Sequence, residues 1–136
     1  MALSNEDLFI VCEEGDLSRI ENCLKCLSSV EISLIRDENE ASLVHYACRY
    51  GHLNILQYFI EKKGLDISQL RTSHGATCAH DAAVCDQLNI IKYIFHPNKE
   101  NLSSKLRWTV RDEQGNTPLH LGIVHLSFFE YLFICV

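Results

Sequence analysis

The sequence predicts an all-α solenoid, in which helix-turn-helix units stack on one another and are joined by short β-hairpin tips. The first observation is a string with a hydroxyl residue three positions before a histidine, which recurs as SLVHYA (42–47), TCAHDA (77–82) and TPLHLG (117–122). The second is the spacing of its histidines, since 80 − 45 = 35 and 120 − 80 = 40. Periods of about 20–50 residues are typical of stacked-repeat proteins.

A third observation is the pair of helices that the apolar pattern predicts within each unit. After the dipeptide Gly51-His52, which breaks the first helix from the second, apolar residues follow at i, i+3, i+6 and i+7. The same offsets occur after Gly15-Asp16 and after Asp86-Gln87. The predicted apolar faces are Leu17, Ile20, Cys23 and Leu24; Leu53, Leu56, Phe59 and Ile60; and Leu88, Ile91, Ile94 and Phe95.

The hydroxyl residues of the recurring string are predicted to begin the first helix of each unit. Ser42, Thr77 and Thr117 are suited to accept hydrogen bonds from the first backbone N–H groups. Pro118 fits the first helical position, where a missing N–H has no cost. An earlier helix over 5–14 lacks the string but follows Ser4, another good N-cap. The recurring histidines are expected to bond the hydroxyl and nearby backbone, which ties one unit to the next.

A β-turn is predicted before each string, at 37–41, 72–76 and 112–116. The fourth residue of each set requires a positive φ. Gly75 and Gly115 adopt such a conformation without strain, whereas Glu40 does not. We therefore expect the hairpin tip at Glu40 to be distorted.

These units are expected to form one domain over residues 1–136. It would consist of a degenerate capping repeat (1–35), a repeat (36–70), a repeat with a long loop at 96–110 (71–110) and an incomplete repeat (111–136). Trp108 is expected to anchor the long loop. The last unit, 111–136, lacks a Gly-His break, so we interpret the C-terminus as a truncated or alternatively ended copy of a longer protein.

The sequences of the three strings resemble the T-P-L-H-x-A motif of the ankyrin repeat. More narrowly, GATCAHDAAV (75–84) is similar to a repeat of the espin family, and LVHYACRYGHLNILQYFIE (43–61) and DEQGNTPLHL (112–121) resemble its neighbours. Espins, espin-like proteins and the insect forked protein are actin-bundling cytoskeletal proteins. The resemblance implies an N-terminal ankyrin array that binds the tail of class III myosins. The family's actin-binding segments are absent from this chain, so actin bundling is not implied.

Composition and charge exclude several other classes of protein. Apolar residues make up 47% and charged residues 22%, as in ordinary globular proteins. The net charge of −6 argues against sequence-independent nucleic-acid binding, which needs many Lys and Arg along the phosphates, and we expect no nucleic-acid partner. No secretory signal is recognisable, and the apolar stretch 126–136 is too short to cross a membrane. We expect a cytoplasmic monomer, which the espin resemblance places near actin-based protrusions of the cytoskeleton.

The seven histidines and seven cysteines invite metal or redox hypotheses, but structural roles account for them better. Without a secretory signal, an odd number of cysteines indicates reduced thiols. The zinc hypothesis lacks two tight ligand pairs, the C-x-x-C lacks a second pair, and a Cys-His nucleophile lacks an orienting third group. We therefore predict no metal, no cofactor and no enzyme activity. The groups weighed were His74, Cys78, His80 and Cys85 for zinc; Cys23 and Cys26 for redox chemistry; and Cys48 with His45 or His52 for catalysis.

A partner is predicted to dock on the concave surface formed by the hairpin tips and first helices. Tyr46, Arg49 and Tyr50 are its expected anchors, with packing of Tyr46 or Tyr50 against a neighbouring repeat as the alternative. The acidic tips favour a basic helical or extended segment as ligand. A generic ankyrin adaptor or inhibitor with another protein partner is the alternative function. The predicted partner-binding residues are Glu38, Asn39, Tyr46, Arg49, Tyr50, Ser73, His74, Asp81, Val84, Glu113, Gln114 and Asn116.

Overall fold

The computed structural model describes residues 3–95 and 110–123, in which helices form two layers. The first helices of successive units, α1, α4, α6 and α8, pack side by side, and the second helices α2, α5 and α7 form the other layer. This arrangement confirms the predicted all-α solenoid. The helices are α1 (Asn5–Glu14), α2 (Leu17–Leu24), α3 (Ser29–Ser33), α4 (Leu43–Arg49), α5 (Leu53–Gln57), α6 (Cys78–Val84), α7 (Leu88–Ile94) and α8 (Pro118–Gly122).

The first helices begin directly after the hydroxyl residues of the recurring strings, as predicted. Ser42 and Thr117 are the N-caps of α4 and α8, and each side chain accepts from the backbone N–H three residues on. Pro118 occupies the first position of α8. Helix α1 has the predicted bounds, and its N-cap Ser4 forms a reciprocal capping box with Asp7. Local sequence therefore determines where these helices start.

The second helices bury the predicted apolar face. Ile20, Leu56, Phe59 and Ile91 are fully buried, whereas the first residue of each predicted face is only half-buried. Between the first helices, the small residues Ala47, Cys48, Ala82 and Ala83 are completely inaccessible to solvent. Small side chains at these positions allow the first helices to approach closely. The core therefore extends continuously from one unit to the next.

The hairpin tips, which we call fingers 1 to 3 (37–41, 72–76 and 112–116), share one geometry. Glu40 has a φ of 60°, close to the 76° of Gly75 and the 81° of Gly115. Each finger is closed by a backbone hydrogen bond between its first and fifth residues, of 2.9–3.0 Å. The expectation of a distorted tip at Glu40 was therefore wrong. The Arg36 Nη1 donates to the Glu40 carbonyl (2.8 Å) and helps to hold this conformation.

The break between first and second helices is retained where Asp86-Gln87 replaces Gly-His. Asp86 adopts a φ of 54°, which places it in the left-handed region like Gly51 at 75°. The Gln87 Nε2 donates to the carbonyl of Arg49 (2.8 Å), as the His52 ring bonds the carbonyl of Glu13 (2.7 Å). Glutamine therefore performs the same bridging role between repeats as histidine.

Replacing Gly15 with alanine is expected to cost about 2–3 kcal/mol of unfolding free energy. A Cβ at Gly15 would lie 2.5 Å from the His52 ring, and the residue has a φ of 77°. The variant therefore combines left-handed strain with loss of the His52 bond. Gly64→Ala is the matched control, because Gly64 also has a positive φ but nothing within 4 Å, and it should cost about 1 kcal/mol. Equal costs in urea unfolding would contradict the role of the His52 contact.

Three short elements among the described residues were not predicted from the sequence, and one of them is the 3-10 helix Ile67–Gln69. Helix α3 follows its N-cap Ser28, which forms a capping box with Glu31. A π-helical turn, Tyr58–Lys62, extends α5. Just beyond it, the Lys63 Nζ donates to the carbonyls of Lys25 and Leu27 after α2. The extension thus connects the second helices of neighbouring units.

Several predictions lie outside the described residues. These are the loop at 96–110, of which only residue 110 is described, the anchoring role of Trp108, and the end of the chain beyond 123. The division into four units at 35, 70 and 110 stays a prediction. Within the described ranges, no helix is both long and apolar enough to cross a bilayer.

Candidate partner-binding face

We call the exposed side of the three fingers and of the first helices the finger face. All twelve predicted partner-binding residues lie on these elements or on the helix ends that follow them. Eight are exposed and four are half-buried. The exposed residues are Glu38, Asn39, Tyr50, Ser73, His74, Val84, Glu113 and Gln114. The half-buried residues are Tyr46, Arg49, Asp81 and Asn116.

Backbone hydrogen bonds align successive fingers. The Ser73 N–H of finger 2 donates to the Asn39 carbonyl of finger 1 (2.9 Å). The Glu113 N–H of finger 3 donates to the His74 carbonyl of finger 2, also at 2.9 Å. One such bond at each step keeps the fingers in register and makes their tips a continuous edge of the finger face.

Buried histidines connect each first helix to the next finger. The His45 Nδ1 accepts from the backbone N–H of Ser42 (3.1 Å), so the ring proton is on Nε2, which donates to the Ala76 carbonyl (3.1 Å). His80 repeats this arrangement with Thr77 and Asn116. Burial lowers the pKa of His45 to about 4 and also lowers the pKa of His80. Both rings are therefore neutral structural bridges at pH 7.

A series of arginines, which the sequence reasoning missed, supports the fingers from the residue before each one. Arg36, Arg71 and Arg111 each donate from Nη1 to the carbonyl of the positive-φ residue of their own finger, at 2.7–3.3 Å. Arg36 also donates to the Arg71 carbonyl (3.1 Å), and Arg71 to the Arg111 carbonyl (3.5 Å). Their spacing was the available signal, because 71 − 36 = 35 and 111 − 71 = 40, as for the histidines.

Tyr46 and Arg49 contact neighbouring repeats. The Tyr46 ring lies 4.6 Å from that of Phe9, and its hydroxyl donates to the Asp37 Oδ2 (2.7 Å). Arg49 lies over the Tyr46 ring at 5.0 Å and forms an ion pair with Asp81 through Nε (2.9 Å). Burial raises the pKa of Asp81, against the opposing effect of Arg49. These side chains therefore stabilise the stack, whether or not they also meet a partner.

Exposed apolar side chains occur along the first-helix part of the finger face. Tyr50 is 49% exposed and Val84 is 50% exposed. Ile10 on α1 is also 50% exposed, and sequence reasoning missed it. The available signal was its register, because Ile10 precedes Tyr46 by the same 36 residues that separate Gly15 from Gly51. Large apolar side chains exposed beside polar fingers are typical of a docking surface.

A groove of about 590 Å³ lies between α1 and finger 1. It is lined by Asn5, Glu6, Phe9, Ile10, Glu13, Arg36, Asp37, Glu38 and Tyr46. Phe9, Ile10 and Tyr46 give the groove an apolar part, and carboxylates predominate among the remaining side chains. Burial, and then the bond to Asp37, raises the pKa of Tyr46 to about 12. The tyrosine hydroxyl is consequently a neutral donor.

Several of the cysteines and histidines weighed for metal or catalytic chemistry are buried in the repeat stack, among them His45, Cys48, Cys78 and His80. The six cysteines in the described ranges are free thiols. Burial raises the pKa of Cys48 well above its usual range, which is the opposite of an activated nucleophile. Of the zinc set, His80 uses both ring nitrogens in the stack. Within 3–95 and 110–123, no three His, Cys, Asp or Glu side chains are grouped to hold a metal ion.

Comparison with known proteins agrees with the repeat geometry. The family model described as "Ankyrin repeats (3 copies)" matches residues 8–105. Among curated proteins, none matches the chain significantly. Ankyrin repeats are protein–protein interaction modules and are generally non-enzymatic. Since the match covers more than half of the sequence, the chain belongs to the ankyrin-repeat family.

Proposed function

We propose that this chain is a non-enzymatic interaction module that docks a basic or amphipathic segment of another protein on its finger face. The observation that carries the proposal is the combination of acidic finger tips with exposed apolar side chains on the adjoining helix ends. Glu38, Glu40 and Glu113 are exposed on the fingers, and Tyr50 and Val84 are exposed beside them. A segment with basic and apolar side chains complements both parts of this surface.

The charge of the finger tips is available to a ligand. Among the residues that the structure describes, the carboxylates of Glu38, Glu40 and Glu113 form no ion pair. Complementary charge across an interface accelerates association and fixes orientation, while apolar anchors supply most of the affinity. We therefore assign the anchoring role to Tyr50 and Val84 and the orienting role to the finger carboxylates.

The resemblance to the espin family supports a specific partner, the tail of a class III myosin. In this proposal, the chain works in the cytoplasm at actin-based protrusions and holds the myosin tail there. The resemblance rests on 75–84 together with the flanking repeats, which include the fingers and helix ends described above. A generic adaptor or inhibitor would use the same finger face with a different segment.

Binding of a class III myosin tail segment, measured by isothermal titration calorimetry, tests the proposal. The double variant Tyr50→Ala, Val84→Ala is expected to weaken binding about tenfold or more, because two exposed anchors are lost. Val30→Ala is the matched control, since Val30 is 66% exposed on α3, outside the finger face. Arg49→Glu is unsuitable, because it would also break the ion pair with Asp81.

The outcomes separate the two candidate functions. Tail binding that depends on Tyr50 and Val84 supports the myosin proposal. No tail binding, combined with capture of another basic segment through the same two residues, supports a generic adaptor. Equal losses in the double variant and in Val30→Ala would contradict a role for the finger face.

A further inference from the structure

We propose that finger 1 is an open edge to which an extended, basic segment of the partner adds as an extra finger. The inference rests on the proposed function and specifies how the partner is held. The added segment would accept a backbone hydrogen bond from the Glu38 N–H and place its side chains in the groove between α1 and finger 1.

The repeat of backbone hydrogen bonds identifies Glu38 as the open position. Ser73 and Glu113 donate their N–H groups to the preceding finger, and Glu38 is the equivalent residue, since 73 − 38 = 35 and 113 − 73 = 40. None of the described residues accepts a hydrogen bond from the Glu38 N–H. An unpaired edge donor in a ladder of paired fingers is a template for an added strand.

The groove beside this edge has the size and lining of a side-chain pocket. Its volume of about 590 Å³ falls within the range of about 300–1,000 Å³ that is usual for ligand sites. Phe9 and Tyr46, whose rings are 4.6 Å apart, supply apolar surface together with the exposed side chain of Ile10. An apolar side chain of the added segment would pack against these three residues.

Charge selects a basic segment. Glu6, Glu13 and Glu38 line the groove, and none of these carboxylates forms an ion pair with another described residue. The one arginine of the lining, Arg36, donates to the carbonyls of Ser33, Glu40 and Arg71. Asp37 accepts from its own finger and from Tyr46. The lining therefore carries four carboxylates against one guanidinium, and its net negative charge favours lysine or arginine.

An extended segment can contact the apolar part and the acidic part of the groove at the same time. In a strand, successive side chains point to opposite sides, so alternating apolar and basic residues would meet the ring surface and the carboxylates separately. A second copy of this chain is the rival occupant, because the Gln114 carbonyl of finger 3 is equivalent to the bonded carbonyls of Asn39 and His74. We favour the basic segment, since this chain is itself acidic, with a net charge of −6.

The test uses the whole chain and a fluorescein-labelled peptide that alternates leucine with arginine and lysine, read by fluorescence anisotropy. Glu38→Ala removes the carboxylate but keeps the N–H, whereas Glu38→Pro removes both. Proline is suited to the position, because the bond from Glu40 N to the Asp37 carbonyl (3.1 Å) makes Glu38 the second residue of a four-residue turn. We expect the proline variant to bind at least tenfold more weakly than the alanine variant.

A double variant that leaves the turn intact tests the charge independently. Glu6→Gln, Glu13→Gln is expected to weaken binding several-fold and to reduce its dependence on salt. If circular dichroism shows that Glu38→Pro does not unfold cooperatively, the peptide affinities of the double variant Glu6→Gln, Glu13→Gln and of the unsubstituted chain are compared instead. An unchanged affinity in the double variant would then overturn the inference.

The remaining outcomes are also decisive. The proposal would be overturned if Glu38→Pro and Glu38→Ala bound the peptide with equal affinity. It would also be overturned if a peptide with glutamate in place of arginine and lysine bound as tightly as the basic peptide. Self-association in analytical ultracentrifugation that Glu38→Pro abolishes, without peptide binding, would assign the edge to a second copy instead. If Tyr50→Ala, Val84→Ala weakens partner binding while Glu38→Pro matches Glu38→Ala, the proposed function stands and the added finger is wrong.

Discussion

Replacing Phe59 with alanine is expected to lower the free energy of unfolding by about 3–5 kcal/mol. Phe59 is completely buried and is the largest of the fully buried side chains among the described residues. Its loss removes apolar contact area and leaves a cavity that the surrounding helices fill only in part. A domain of this size has about 5–15 kcal/mol of stability, so the loss is a large fraction of the total.

Urea unfolding followed by circular dichroism measures this effect. With a typical dependence of about 2 kcal/mol per molar urea, the midpoint should fall by roughly 2 M. Leu34→Ala is the control, because Leu34 is 73% exposed and its truncation should change stability by less than about 0.5 kcal/mol. Similar shifts for both variants would show that Phe59 does not occupy the core position described here.

Acidification from pH 6.5 to pH 4 is expected to destabilise the chain by roughly 3 kcal/mol through His45 alone. Burial lowers the pKa of folded His45 to about 4 from its ordinary value of 6.5. In this interval the unfolded chain binds more protons than the folded chain, so the free energy of unfolding falls as the pH falls. The lowered pKa of His80 acts in the same direction.

The variant His45→Gln isolates this contribution in urea unfolding series at several pH values. It should be less stable than the parent at pH 7, because the bridge to Ala76 is altered, but its stability should change less between pH 6.5 and 4. The slope should decrease by up to about 1.4 kcal/mol per pH unit. An unchanged slope in His45→Gln would show that the ring is not a buried neutral bridge.

The candidate site illustrates what a periodic sequence conveys and what it omits. The period located the fingers and the first helices, and therefore the elements of the finger face. It did not distinguish Tyr50, which is exposed, from Arg49, which forms an ion pair with Asp81 across 32 residues of chain. Arg36, Arg71 and Arg111 also follow the repeat spacing, but only their hydrogen bonds in the structure show that they support the fingers.

The sequence alone determined the N-caps, the breaks and the positions of the turns, because each of these depends on residues within about four positions of one another. It also determined the repeat, because the same strings recur at spacings of 35 and 40 residues. Only the tertiary structure decided that Glu40 and Asp86 tolerate a left-handed conformation, that Gln87 replaces a bridging histidine, and that finger 1 leaves the Glu38 N–H unpaired. The last two features depend on contacts, made or missing, between residues of neighbouring repeats, some 35–40 positions apart in the sequence. Local patterns carry no information about such partners.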